Sequence, residues 1–170
     1  MRELEWSDAE LSRALDVLEQ FYVLDVHKDE LVFLTEPTFS IPERKGNNGR
    51  FPTKLQPDIE PIQLQNYIKL LADKDFCAEQ IRKTAKGWKR SKVHTVTVWH
   101  WDGKEEKACK RTLVITKSEK IKYSLSNGDK EKYTNKEWAY FQCSRYWVER
   151  CFDDCKNELG MSGYQVTGWL

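Results

Sequence analysis

Hydrophobic residues recur with helical spacing near both ends of this chain and with strand spacing in its middle. One face of residues 7–20 is apolar, and Ser7 with Glu10 forms a capping-box pattern, so this segment is predicted to be an amphipathic helix. The β-branched and aromatic run at 21–26 follows directly and predicts a short strand. A helix that leads straight into a strand is half of an α/β unit.

The middle of the chain is predicted to be rich in β-structure. Strand patterns occur at 31–34, 93–101, 110–116 and 121–125, and residues 62–76 have a modest helical pattern. All five prolines lie between residues 36 and 61, which predicts an irregular, extended segment there.

The longest predicted element is a helix over residues 134–159. Thr134 and Glu137 form a capping box, Gly160 suits the C-terminal cap, and no proline or glycine interrupts the segment. Helical periodicity predicts that one face packs on the core, and this face contains Phe141, Ser144, Val148, Cys151, Phe152, Cys155 and Leu159.

A row of charged residues runs along the edge of that helix face. Arg145, Glu149 and Lys156 project in nearly the same direction at 3.6 residues per turn. Two interpretations stay open: an ion pair on a solvated helix edge, and a carboxylate flanked by cations that serves a phosphate and a metal. Spacing alone favours the ion pair.

Charge is balanced overall but unevenly distributed. The 28 basic and 27 acidic residues leave a net charge of +1, yet residues 37–92 carry twelve basic residues against six acidic ones. Residues 82–92 hold six cations and no acid, with one interleaved aromatic residue: Arg82, Lys83, Lys86, Trp88, Lys89, Arg90 and Lys92. Such a segment can bind nucleic acid through phosphate neutralisation and occasional stacking, and it is also a common composition for a solvated turn.

The cysteines and the terminal sequences indicate a cytoplasmic protein. Five cysteines are widely spaced and odd in number, which favours free thiols in a reducing compartment. Cys151 and Cys155 have the helical spacing of two metal ligands, but no second pair of Cys or His accompanies them. No apolar run is long enough for a membrane span, and the N-terminus has no signal-peptide pattern, so no membrane partner is expected.

The C-terminal segment from Arg145 to Trp169 resembles the signature of insertion-sequence DDE transposases. In that family the last catalytic helix carries Tyr, Arg, Glu and Lys, with three residues between Arg and Glu and six between Glu and Lys. Arg145, Glu149 and Lys156 match both spacings, and the tail formed by Leu159, Gly160, Tyr164 and Val166 is also similar. The family's Tyr position is Gln142 in this chain.

The resemblance implies an α/β fold, namely a partial ribonuclease-H-like fold interrupted by a β-rich insertion. Residues 1–29 would supply the first helix and strand of the framework, residues 30–126 the basic insertion, and residues 127–170 the catalytic-type helix and its tail.

The resemblance also implies DNA transposition by metal-dependent cleavage and strand transfer. Three carboxylates would hold two Mg²⁺ ions, and Glu149 would be the third ligand. Arg145 and Lys156 would contact the phosphates of the element end, while Lys86, Lys89 and Arg90 of the insertion are the further expected DNA contacts. Trp88, Trp99 and Trp101 are equal candidates for stacking on a displaced base.

The family's first two catalytic aspartates have no counterpart in this sequence. They belong ahead of the helix at 7–20, and by its order Asp25 lies in a later strand, so it is not expected to bind metal. We therefore expect no nuclease or strand-transfer activity from these 170 residues alone and no tight Mg²⁺ binding.

Three interpretations remain. The chain is the C-terminal part of a transposase, a non-catalytic DNA-binding module, or a non-functional remnant of a mobile element. DNA is the expected partner and no small-molecule substrate is expected. A second copy or an upstream-encoded half is the protein partner that the resemblance leaves open.

Overall fold

The described part of the chain contains three α-helices and nine strands. The computed structural model describes residues 8–43, 51–84, 87–103 and 105–158, with side chains at all of these positions except 8–10, 82, 84 and 145–149. In chain order the elements are α1 (Asp8–Val17), β1 (Val23–Val26), β2 (Leu31–Val32), β3 (Phe39–Ser40), β4 (Gln56–Pro57), β5 (Ile62–Gln63), α2 (Leu64–Leu70), β6 (Cys77–Thr84), β7 (Gly87–His100), β8 (Cys109–Lys117), β9 (Ile121–Ser126) and α3 (Asn135–Glu158).

A five-stranded antiparallel sheet is the centre of the fold. Its strand order is β1-β9-β8-β7-β6, and two further pairs, β2-β5 and β3-β4, form small sheets of their own. The last four strands in sequence therefore form a simple meander, while β1 joins the sheet from far along the chain by pairing with β9. The fold is thus mixed α and β, as expected. The segments that we separate at residue 29 meet in one sheet, and the three-part division of the chain stays a prediction.

Alternation along the strands gives the sheet two buried faces. One face, called the helix face here, is covered by α3, and its apolar core consists of Ile81, Val93, Val114, Trp138 and Ala139. The opposite face, called the far face, packs against α2 and the small strands, and its fully buried side chains include Val32, Leu64, Val98, Leu113 and Ile115. Coverage on both faces explains why β8 reads as a run of buried residues.

The long helix begins where its capping box predicts. The backbone N–H and the hydroxyl of Thr134 both donate to Oε2 of Glu137 at 2.8 Å, and the Glu137 N–H donates to the Thr134 hydroxyl at 3.3 Å. These hydrogen bonds from the Thr134 backbone and side chain hold the pKa of the Glu137 carboxyl below its usual value. The boundaries predicted from sequence agree with α3 to within one residue.

The predicted apolar face of this helix is wrong in its second half. Cys151 and Phe152 are exposed, and the side chains that are buried on the sheet are Trp138, Ala139 and Gln142 from the first half. Val148 has no described side chain and Leu159 lies outside the described residues. The physical reason is that helical periodicity shows which residues share a face of the helix, but not how far along the helix the sheet extends beneath that face.

Other elements follow their predicted positions with shifted ends. The helix predicted at 7–20 spans Asp8–Val17, and the strand predicted at 21–26 spans Val23–Val26. The segment that we read as either a DNA grip or a turn, residues 82–92, is mostly regular strand, because β6 and β7 extend through it as a hairpin. Among the described helices, none is both long and apolar enough to cross a bilayer.

Candidate nucleic-acid interface

The hairpin of β6 and β7 carries the cationic segment of the sequence. The register pairs Gln80 with Arg90 and then Arg82 with Lys89, so Ile81 is an extra residue that forms a bulge in β6. The second strand of the hairpin, β7, begins at Gly87, whose φ of 110° is a conformation that other residues rarely adopt. Residues 87–90 are all exposed, whereas Ser91 and Val93 are buried. The outer part of the hairpin is therefore open to a partner.

Three cations of this outer hairpin are available for binding. Lys83, Lys89 and Arg90 are exposed, and within the described part of the chain none of them forms an ion pair. Lys92 differs, because its ammonium group lies 2.5 Å from the carboxylate of Asp73. The hydrogen bond and the charge of Lys92 lower the pKa of Asp73. Positive charge is thus neutralised at the base of the hairpin and left free towards its tip.

An exposed tryptophan lies among these cations. Side chains alternate along β7, so Trp88 and Arg90 are on the far face and Lys89 is on the helix face. Lys83 pairs with Trp88 across the two strands and so shares the face of Trp88. One face of the hairpin therefore carries two cations around an aromatic ring that is 54% exposed.

The structure separates the three tryptophans that the sequence left equal. Trp101 stacks on Phe39 with ring centroids 4.5 Å apart, and its Nε1 donates to the carbonyl of Glu105 at 2.6 Å. Trp99 exchanges backbone hydrogen bonds with Phe33 and is half-buried. Trp88 is the most exposed of the three, and it is the one that stands among free cations.

The other residues that the sequence predicts to contact DNA or metal lie on α3 or outside the residues that the structure describes. Lys86 lies outside the described residues. Arg145 and Glu149 are part of α3, but their side chains are not described. Lys156 is exposed near the end of the same helix. Helical periodicity places positions 145, 149 and 156 on the same side of α3 as Trp138 and Gln142.

Gln142 lies where the transposase signature that the sequence resembles has a tyrosine, and its side chain is buried in the protein interior. The side chain is 3% exposed. Its Oε1 accepts from the Thr116 hydroxyl at 2.6 Å, and its Nε2 donates to the Ser124 hydroxyl at 2.7 Å. Ser124 in turn donates to a carboxylate oxygen of Asp25 at 2.6 Å. The Gln142 Nε2 also donates to the carbonyl of Val114 at 3.5 Å. Gln142 therefore ties α3 to β8 and β9 directly and to β1 through Ser124, so both its amide oxygen and its amide nitrogen are used inside the protein.

Sequence reasoning missed this network because its members are distant in the chain. Gln142 lies 26 residues from Thr116 and 18 from Ser124. The only signal in the sequence was a set of hydroxyl residues that alternation places on one face of β8 and β9, where all four are buried on the helix face: Thr112, Thr116, Ser124 and Ser126.

The described residues contain no cluster of three or more His, Cys, Asp or Glu side chains that could hold a metal ion. The Glu149 side chain lies outside that description. No family model, curated protein or solved structure matches the chain.

Proposed function

We propose that this chain binds DNA through the outer part of the β6–β7 hairpin, as the C-terminal part of an insertion-sequence DDE transposase. The observation that carries the DNA-binding proposal is the set of three exposed cations, Lys83, Lys89 and Arg90, beside exposed Trp88. Their lack of ion pairs in the described structure supports it, because an unpaired cation reaches a phosphate without first giving up a carboxylate. The transposase assignment depends on the spacing of Arg145, Glu149 and Lys156.

The ribonuclease-H-like framework and its metal chemistry are part of the same proposal. Glu149 would be one of three carboxylates that hold Mg²⁺, and Arg145 and Lys156 would neutralise nearby phosphates. Mg²⁺ demands six oxygen ligands in octahedral geometry, and one carboxylate does not meet that demand. We therefore propose no catalytic step for this chain by itself.

The salt dependence of binding tests the hairpin directly. Replacing Lys89 and Arg90 by Gln is expected to flatten the slope of log affinity against log salt by about 0.9 for each lost phosphate contact on duplex DNA. Fluorescence anisotropy with a labelled duplex between low and moderate salt measures the slope.

Lys120 and Lys122 provide a matched control for that experiment. Both are exposed, in and beside β9, which β8 separates from the hairpin in the sheet, and the double Gln variant removes the same net charge. The control should keep the wild-type slope. Equal flattening in both variants would mean that only overall charge matters, and a wild-type slope near zero would remove the DNA-binding proposal.

Stacking on Trp88 predicts a different signature. Trp88→Ala is expected to weaken binding to single-stranded DNA by about 1–3 kcal/mol, the contribution of one stacked base, with little change in the salt slope. Trp88→Phe should recover part of the loss because it keeps an aromatic face. The side chain is largely exposed, so both variants should unfold at the wild-type temperature. Equal affinity of Trp88→Ala and wild type on single strands would show that the ring does not stack.

A further inference from the structure

The strands β1 and β9 separate at one end of the sheet and leave a cleft between them. Their last pair is Val26 with Tyr123, but β9 begins two residues earlier, at Ile121, and within the described structure it is paired there with β8 alone. After Val26 the chain turns away, and the Glu30 N–H donates to the carbonyl of His27 at 3.1 Å. The cleft has a volume of about 420 Å³. Cavities of about 300–1,000 Å³ are the size in which proteins hold small molecules.

The walls of this cleft are apolar and continue the core of the far face. Val26 and Tyr123 pack in that core, and the Ile121 side chain, which also lines the cleft, is 43% exposed. A flat apolar group placed in the cleft would therefore leave water for contact with hydrocarbon side chains, which is favourable.

Three hydrogen-bond donors line the same cleft and have no partner among the described residues. Lys28 and Lys122 are exposed and form no ion pair there. The hydroxyl of Tyr123 forms no hydrogen bond in the described structure, although this residue is only 8% exposed. Burial raises the pKa of the Tyr123 phenol, which keeps the hydroxyl protonated and able to donate. The cleft thus offers two cations and one neutral donor.

The carboxylates near the cleft already have partners within the protein. Asp25 accepts from the Ser124 hydroxyl at 2.6 Å, and the Asp29 carboxylate lies 3.0 Å from Nδ1 of His27. A molecule that satisfies the three donors has to bring its own acceptor. Anionic oxygen is the strongest acceptor for such donors, because hydrogen bonds between charged groups are roughly twice as strong as neutral ones.

We propose that this cleft binds a small molecule with a flat apolar body and one anionic group, such as an aromatic carboxylate. The apolar body would lie against Val26 and Ile121. The anionic oxygens would accept from Lys28, Lys122 and Tyr123. The sequence gives no local pattern for this site, because its two sides come from segments far apart in the chain. In the sheet β8 separates β9 from the hairpin, so the site does not depend on the proposed DNA binding.

Binding of 2-naphthoate to the full chain, followed by isothermal titration calorimetry, tests this proposal. The uncharged 2-naphthamide has the same rings, and acetate has the same charge without rings, so naphthoate should bind more tightly than either. Lys28→Gln and Lys122→Gln should each weaken naphthoate binding about tenfold, because each removes a charged hydrogen bond, and should leave naphthamide binding unchanged. Lys120→Gln is the matched control, since Lys120 is exposed next to β9 but does not line the cleft.

A variant within the cleft wall provides a second readout. Tyr123→Phe removes the hydroxyl and keeps the ring in the core, so it should weaken naphthoate binding while the circular dichroism spectrum stays that of the wild type. The proposal is overturned if naphthamide binds as tightly as naphthoate, if Lys120→Gln weakens binding as much as Lys122→Gln, or if naphthoate does not bind at millimolar concentration. Displacement of naphthoate by duplex DNA would also overturn it, since the three donors would then belong to a DNA-binding surface.

Discussion

Replacement of Trp138 by alanine is expected to lower the free energy of unfolding by about 3–5 kcal/mol, the range for removing a large aromatic side chain from a core. Trp138 is fully buried at the point where α3 meets the sheet. Its ring packs against Phe21, Tyr133 and Phe141 with centroids 5.3 to 6.1 Å apart. The neighbouring Gly128 has no side chain that could fill the cavity, and it lies so close to the Trp138 ring that an added Cβ would come within 2.8 Å of it.

Urea denaturation followed by far-ultraviolet circular dichroism measures this loss. Trp88→Ala is the matched control, because it removes the same side chain from an exposed position and should change the free energy of unfolding by less than about 0.5 kcal/mol. A loss below about 1 kcal/mol for Trp138→Ala would show that α3 is not anchored through this ring.

Replacement of Gln142 has the second-largest expected effect. Gln142→Leu is expected to destabilise the fold by about 2–4 kcal/mol, because it leaves the buried Thr116 hydroxyl without its acceptor and the buried Ser124 hydroxyl without its donor. Equilibrium unfolding measures the change. Wild-type stability in this apolar variant would mean that Gln142 only fills space.

Gln142→Glu adds a pH dependence that identifies the network. A protonated carboxyl group can accept from Thr116 and donate to Ser124, as the amide does. Burial raises the pKa of this new carboxyl in the folded state above its unfolded value of about 4.3. The variant should therefore be nearest to wild type below that value and lose stability as the pH rises through the folded-state pKa. A constant difference from wild type over pH 4–8 would contradict the hydrogen bonds.

The elements of this fold that depend on local sequence were predicted well. The capping box of Thr134 and Glu137 gives the start of α3, and alternation gives β8, β9 and the second half of β7. The first half of β7, from Gly87 to Lys92, was not predicted as strand. Each of these patterns involves residues that are only a few positions apart in the sequence, and such local patterns are the ones that a sequence shows most directly. The pairing of β1 with β9 and the extent of the sheet beneath α3 depend on residues far apart, and no local pattern encodes them.

The candidate interface was also predicted only in part, because its composition is local but its contacts involve residues far apart in the sequence. Composition alone points to the cations at 82–92 and to an interleaved Trp88. Composition cannot show that Lys92 forms an ion pair with Asp73, which lies 19 residues away. Nor can it show that the ring of Trp101 stacks on Phe39. The buried hydrogen bonds of Gln142 could not be predicted either, since a glutamine on a helix is usually exposed to solvent.

The edge strand β1, which pairs with β9, also constrains the order in which the chain folds. Asp25 and its partner Ser124 are 99 residues apart, whereas neighbouring strands of the meander are joined by short turns. Closing the long loop costs more chain entropy than forming a hairpin, so the meander is expected to assemble first. During synthesis β1 leaves the ribosome before its partner exists, and it must wait until β9 has been made. The strand synthesised first is thus among the last to be stabilised, and until then its apolar residues remain open to other strands.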